Sequence, residues 1–422
     1  MRYVRNLVLL ILALPVSGLA ADATHASKVL KSNYDNEEGF AGPGSTVRLL
    51  EEDDEEKKPA VRWQAMINAL KPWFEKKKQL NEASGLQLSL AYTMTAQKAS
   101  DTLTGEDTGA TGIFRVSGKW ELVNRGKKNK GSLVFSIDNR SKYGDVAAAD
   151  LANEIGYIGP TAVIFGDAGT VLVDFNWQQF LNDGNSGLLV GRYDPSDYLN
   201  ILGYANPWTT FQNLNVLLDS SVAYPDVGFG AGIGHWFNAN WYSVAGFNDA
   251  NARLEETEIY ANGSEFFKFA EVGWSPSREE RYLSNIHLTA WDVDERVDDG
   301  IDDARGMTFG ANYTHDETWM LFGKLGWSEV NAPNDPQIYE KSATLGALYY
   351  FADRSDLAGI AINHGELADA GLDSQTTGEI FYRLQFAQNL AITPSIQILK
   401  DPALNSQEST ITIYGLRLRL TL

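Results

Sequence analysis

The chain has 422 residues, with 55 acidic against 35 basic side chains and no cysteine. The missing cysteines exclude a disulfide scaffold, thiol chemistry and cysteine-ligated metal, and a formal charge of −20 lacks the basic face that nucleic-acid binding requires. With 18 Tyr, 19 Phe and 11 Trp, the chain is too rich in rings for a disordered polyanion.

Arg2 and Arg5 precede an apolar stretch from Leu7 to Leu14, followed by Pro15 and the small-residue run Ser17-Gly18-Leu19-Ala20. This three-part pattern predicts a secretory signal peptide over residues 1–20, and its removal deletes two arginines and no acid, taking −20 to −22. No later run of apolar residues is long enough for a membrane-spanning helix. Residues 21–58 form a polar acidic segment, expected to be irregular and solvated, with turn material at 39–44 and a charge run from Glu51 to Lys58. Over residues 59–84 the period changes. Trp63, Ile67, Leu70, Trp73, Phe74 and Leu80 recur at threes and fours, which predicts an amphipathic helix interrupted at Pro72.

After Gly85 the period drops to two, in segments of about ten residues separated by Gly, Asn, Asp and Pro. Leu86, Leu88, Leu90, Tyr92 and Met94 share one face, and Gln87, Ser89, Ala91 and Thr93 the other. The same alternation sets Phe114, Val116 and Trp120 against Arg115, Ser117 and Lys119, and Val171, Val173, Phe175 and Trp177 against Asp174, Asn176 and Gln178. It closes with Leu416, Leu418, Leu420 and Leu422 against Arg417, Arg419 and Thr421. Sixteen or seventeen such segments can be drawn, the ambiguous one being 213–222.

Long alternating strands with one apolar and one charged face point to an all-β transmembrane antiparallel barrel over residues 85–422, because unpaired backbone is too costly in lipid. Closure in a single bacterial chain favours an even count, sixteen. Trp120, Trp177, Tyr193, Trp274, Trp319, Trp327, Tyr349 and Tyr414 sit near segment ends, as interfacial girdles do. A soluble glycan-binding β-protein is the rival reading, but it would have to bury or solvate the charged face elsewhere.

Several segments resemble the carbohydrate-selective outer-membrane porin family of Gram-negative bacteria. They are Gly85 to Thr93, the stretch 188–198 with Gly191-Arg192 ahead of Ser196-Asp197-Tyr198, and residues 228–234 leading to 245–251. Near the end come Arg354 to Ile360, Tyr382-Arg383-Leu384-Gln385, Ile392 to Gln397 and Gly415 to Leu418. No single piece is decisive, and the resemblance lies in the ordered set. It implies a sixteen-stranded channel for passive sugar uptake in the outer membrane. The acidic stretch before Lys57 has no counterpart in that pattern.

With the charged face turned inward, the pore candidates are Arg115, Lys119, Glu121, Asp138, Arg140, Asp174, Arg192, Glu379, Arg383 and Arg417, with Trp291 and Phe381 as inward rings. Arg192 leads because it lies in the most family-like segment. Arginines and carboxylates with nearby amides exchange a sugar's water shell for protein hydrogen bonds. The run Asp292 to Asp303 holds seven acids and one arginine, but its spacing is not that of a calcium loop, and it reads as a solvated loop. The five histidines lie outside any Gly-x-Ser-x-Gly or His-Glu-x-x-His setting, so neither catalysis, a cofactor nor a metal is expected. The expected partners are small saccharides, outer-membrane lipid and lipopolysaccharide, with the barrel a monomer or homotrimer. A barrel of similar build for cations or other solutes is the alternative.

Overall fold

Alternating sequences of this length pair edge to edge until no edge remains. In the computed structural model, which describes residues 39–422 apart from 56, 262, 297–300, 331–338 and 353, sixteen strands do so. They are β1 (Leu86–Ala99), β2 (Thr108–Val123), β3 (Gly131–Lys142), β4 (Gly169–Leu181), β5 (Ser186–Tyr193), β6 (Gly228–Trp236), β7 (Trp241–Asp249) and β8 (Phe266–Trp274). Then follow β9 (Ser284–Val293), β10 (Ala304–His315), β11 (Trp319–Val330), β12 (Tyr339–Phe351), β13 (Asp356–Leu367), β14 (Gln375–Ala387), β15 (Leu390–Lys400) and β16 (Thr410–Thr421). Each strand pairs antiparallel with its neighbours in sequence, and β1 closes on β16 from Ala91↔Thr421 to Ala99↔Ile413. The signal peptide expected over residues 1–20 lies outside the described residues.

The rows separate by exposure. On β11 Leu321 is 59 % exposed, while its neighbours Met320 and Phe322 are at 1 % and 5 %. Ile360 and Ile362 stand outward on β13 and Ala361 and Asn363 inward. An apolar outer row running round a closed barrel is untenable in water and suited to lipid. Trp120, Trp319, Trp327 and Tyr414 are on that row.

One alternation reading and one girdle reading need correction. Ser136 pairs with Asp174 but Ile137 pairs with Leu172, so Val173 is an extra residue. This bulge turns Val171 and Val173 inward, where they pack on Val227. Tyr193 is no girdle residue either. It is buried, donates to the Phe247 carbonyl and meets Tyr198 edge-on.

The interior is occupied by three insertions. The β3–β4 connection, residues 143–168, carries the short helix α3 (Leu151–Glu154), and the β5–β6 connection, residues 194–227, carries a 3-10 turn (Pro195–Asp197) and the short helix α4 (Leu214–Leu217). The ambiguous stretch 213–222 is thus a helical turn and loop. The β5–β6 connection touches inward groups of β1, β8, β11, β14 and β16, and only a segment inside the cylinder can reach all of them. Tyr204 stacks on Phe322 at 3.7 Å between centroids, and Phe211 meets Phe381 edge-on at 4.9 Å.

The third insertion is N-terminal. Residues 46–54, read from sequence as irregular and solvated, form a largely buried helix, α1 (Thr46–Asp54), capped by Ser45. Helix α2 (Gln64–Ser84) continues through Pro72 instead of breaking there. Pro72 and Asn68, whose carbonyl it deprives of a donor, are both exposed, so water substitutes. The helix stops at Gly85, where φ of +76° favours glycine.

Replacing an outward, mid-strand side chain by a charge tests this placement. Leu325→Arg should cost about 2–4 kcal/mol of folding stability in a bilayer, measured by denaturant titration in vesicles, and an unchanged midpoint would contradict the outward assignment.

Candidate functional site

Strand register assembles the first polar cluster. Arg115 lies opposite Asp138 and Ser136 opposite Asp174, with Arg140 two residues along β3 from Asp138, so Arg115, Asp138, Arg140 and Asp174, all expected in the pore, meet on the wall of β2 to β4. Arg115 makes a bidentate pair with Asp138 at 2.6 and 2.8 Å, and Arg140 donates to the same carboxylate at 2.9 and 3.1 Å. Asp174 accepts from Ser136 at 2.8 Å and from Thr46 of α1 at 2.7 Å. The Arg115 guanidinium also lies 4.2 Å from the ring centre of Trp208 in the β5–β6 insertion, a cation–π contact.

The far wall receives the same insertion. Glu379 accepts the amides of Gln212 and Asn213 at 2.9 and 3.0 Å, and Arg417 donates to the carbonyls of Pro207 and Thr210 at 2.8 and 2.7 Å. These bonds match wall to loop, so both buried charges find partners on the segment that fills the lumen.

Helix α1 is clamped by its acids. Glu52 pairs with Arg383 at 3.1 Å, Asp53 makes a bidentate pair with Arg419 at 2.6 and 3.1 Å and accepts from Ser89 at 3.0 Å, and Asp54 meets Lys77 of α2 at 2.8 Å. Burial works to raise Glu52, but Arg383, Lys57 and Arg419 outweigh it and hold its carboxyl down at about 2. Asp54 is shifted upward, its burial outweighing Lys77.

The remaining expected residues sit apart from these clusters. Arg192 lies opposite Phe175 and Phe229 in register, and Phe175 is 40 % exposed on the outer row. Its guanidinium is held by the carbonyls of Leu172, Arg253, Leu254 and Glu258 at 2.7–3.2 Å, which makes it a tether between β4 and the β7–β8 connection. Glu121 is near one rim with Lys130 at 3.2 Å and Lys119 at 3.8 Å. Trp291 and Phe381 face inward but are covered, Trp291 against Phe267 and Phe381 against Phe211. In the acidic run Asp292 and Asp294 pair with Lys268, while 297–300 lie outside the described residues.

Most inward wall groups are buried, yet some side chains inside the barrel keep partial exposure. Arg48 and Glu52 of α1 retain 23 % and 25 % of their side-chain surface, and Asp197, Tyr198, Tyr224 and Tyr282 are half-buried. Arg48 lies 5.6 Å from the ring centre of Tyr282. It also shares with Phe40, Gln178, Tyr193 and Tyr198 a cavity of about 50 Å³. Burial, then the neighbouring Asp194 and Asp174, push the Asp197 carboxyl well above its usual range. Sequence reasoning missed Glu52 and Asp53 because they sit in a charge run, and Arg48 because it stands in the polar segment just before it. The available signal was Ser45 as a helix cap before Val47 and Leu50, spaced by three.

Two outcomes follow for the α1 clamp. Asp53→Ala leaves Arg419 buried without its carboxylate, so the seat of α1 should lose about 3–5 kcal/mol, read as new protease cleavage within residues 39–55 while the barrel stays folded. Glu52, held below the 4.5 of the free side chain, contributes fully above about pH 4.5 and loses its share as pH falls toward 2. The protease sensitivity of α1 should rise over that window in the wild-type chain, and Glu52→Gln should abolish the Glu52 part of the response. Asp54, shifted the other way, resists release on acidification.

No protein-family model matches the sequence, and no curated protein matches it. Solved structures do. OprB of Pseudomonas putida in its high-pH structure is similar with a TM-score of 0.67 at 14 % identity, over 83 % of this chain and 97 % of that one. Its low-pH structure gives 0.51 at 11 % identity with the same coverage. A mutant of the Rh. blastica porin gives 0.50 at 15 % identity, over 80 % of this chain and all of the other. At these identities the likeness is one of fold. This chain has the closed sixteen-stranded barrel of the bacterial outer-membrane porins.

Proposed function

We propose that the chain is an outer-membrane porin for passive diffusion of small neutral carbohydrates, along a narrow path between α1 and the β5–β6 insertion. The observation that carries this reading is the character of the partly exposed interior groups. Arg48 and Glu52 oppose one another in sign, Asp197 is shifted toward its neutral form, and Tyr198, Tyr224 and Tyr282 add hydroxyls and ring faces.

Such a set suits a neutral polyol. Each sugar hydroxyl both donates and accepts, so the guanidinium of Arg48, the carboxylate of Glu52 and the phenols replace its water shell one contact at a time. Balanced sign gives no barrier to an uncharged solute, and contacts spread along a path bind weakly enough to release it. The segments resembling the carbohydrate-selective porins and the likeness of fold to OprB support the same cargo class.

Swelling of vesicles that contain the purified protein tests this reading against a panel of sugars. Pentoses and hexoses should enter faster than into protein-free vesicles, disaccharides more slowly, and salt-gradient reversal potentials should lie near zero. Arg48→Ala should alter hexose entry several-fold with the barrel intact. A folded barrel impermeable to every sugar, or one strongly selective for cations and closed to sugars, would overturn the proposal.

A further inference from the structure

Helix α2 runs along the barrel rim, tied to Phe386, Leu422 and Trp120, and presents three differently composed stripes. Ile67, Leu70, Phe74 and Lys77, spaced three, four and three, are less exposed than either flank, and Asn81 and Ser84 continue the stripe, with Met66 beside it. Lys77 turns to the barrel, where it meets Asp54 and donates to the Leu422 carbonyl at 3.2 Å. On one shoulder Ala69, Trp73, Lys76, Leu80 and Ala83 recur at fours and threes, and all are exposed, Trp73 at 40 % and Leu80 at 39 %. On the other shoulder are Lys71, Glu75, Lys78 and Glu82, exposed and alternating in sign.

The helix is fixed to the rim at both ends. The Trp63 amide donates to the Phe386 carbonyl at 2.7 Å, and at the far end the Trp120 indole donates to Ser84 at 3.1 Å while Arg125 binds the carbonyls of Asn81 and Ala83. Trp120 is on the outward row of β2, 39 % exposed, so α2 adjoins the lipid-facing band. This rim carries the shorter turns, the periplasmic side of such barrels. The helix bears Lys71, Lys76, Lys77 and Lys78 against Glu75 and Glu82, a cationic element in a chain of formal charge −20.

We propose that α2 is an interfacial helix that lies on the periplasmic leaflet of the outer membrane and binds its anionic phospholipid. Trp73 and Leu80 enter the boundary between headgroups and acyl chains, Lys76 extends its stem along them to a phosphodiester, and the Lys71 to Glu82 shoulder faces water. One apolar and one charged shoulder on either side of a barrel-facing stripe is the arrangement that a helix at a water–lipid boundary requires. The proposal is independent of the cargo and rests only on the barrel's placement in lipid.

The cysteine-free chain allows single nitroxide labels to test it. Full-length Trp73→Cys, Leu80→Cys and Gln79→Cys variants would be labelled and placed in vesicles of phosphatidylcholine with phosphatidylglycerol. Collisions with oxygen, which partitions into lipid, are then compared with those of a water-soluble nickel chelate. Labels at 73 and 80 should favour oxygen and the label at 79 the chelate. The bias at 80 should shrink in phosphatidylcholine alone, and Lys76→Glu should remove that lipid dependence. Equal chelate access at 73, 79 and 80 would overturn the proposal. So would dipolar broadening at 80 that vanishes on dilution with unlabelled protein, because a second copy would then cover the stripe.

Discussion

A strand surrounded by hydrocarbon has no water to satisfy its backbone, so the wall must close, and the polar rows that closure turns inward must find partners in whatever fills the lumen. Here the partner is largely the chain itself. Glu379 with the amides of Gln212 and Asn213, Arg417 with the carbonyls of Pro207 and Thr210, and Asp174 with Thr46 are instances of one requirement. Each joins a wall charge to an inserted segment.

In the proposed porin, this requirement would couple stability to transport. A side chain that lines the proposed path is also one that seats a plug. Glu52 holds α1 to Arg383 and still keeps a quarter of its side chain exposed. The Asp53–Arg419 and Asp54–Lys77 pairs run from wall to α1 to α2, so the helix at the rim is joined mechanically to the one inside the barrel. Replacing a buried ion pair with apolar groups is often tolerated, but removing one partner is not. The clamp is therefore sensitive to single changes.

The wall was legible because period-two alternation is imposed at every residue by the two solvents on its faces. Arg115, Asp138, Arg140 and Asp174 were placed inward by parity, and register brings them together. Parity failed where one residue is extra, at Val173, and it misread Arg192 at the end of β5, where loop carbonyls hold the guanidinium; the neighbouring Tyr193, read as a girdle ring from its place at a segment end, is buried. The filling of the lumen was not legible. Segments 143–168 and 194–227 carry no period, and the polarity of Gln212, Asn213 and Asn215 reads as solvated until a wall is set around them. The acidic run of α1 misled for the same reason, since Glu52 and Asp53 face arginines more than three hundred positions away in sequence.

The central claim is that inserted chain, rather than bulk water, satisfies most of the inward wall. Hydrogen exchange on the protein in lipid nanodiscs tests this most directly. The amides of residues 210–217 should be protected to a degree comparable with the strands they meet. Exchange there as fast as in the exposed connection at residues 101–106 would contradict the account.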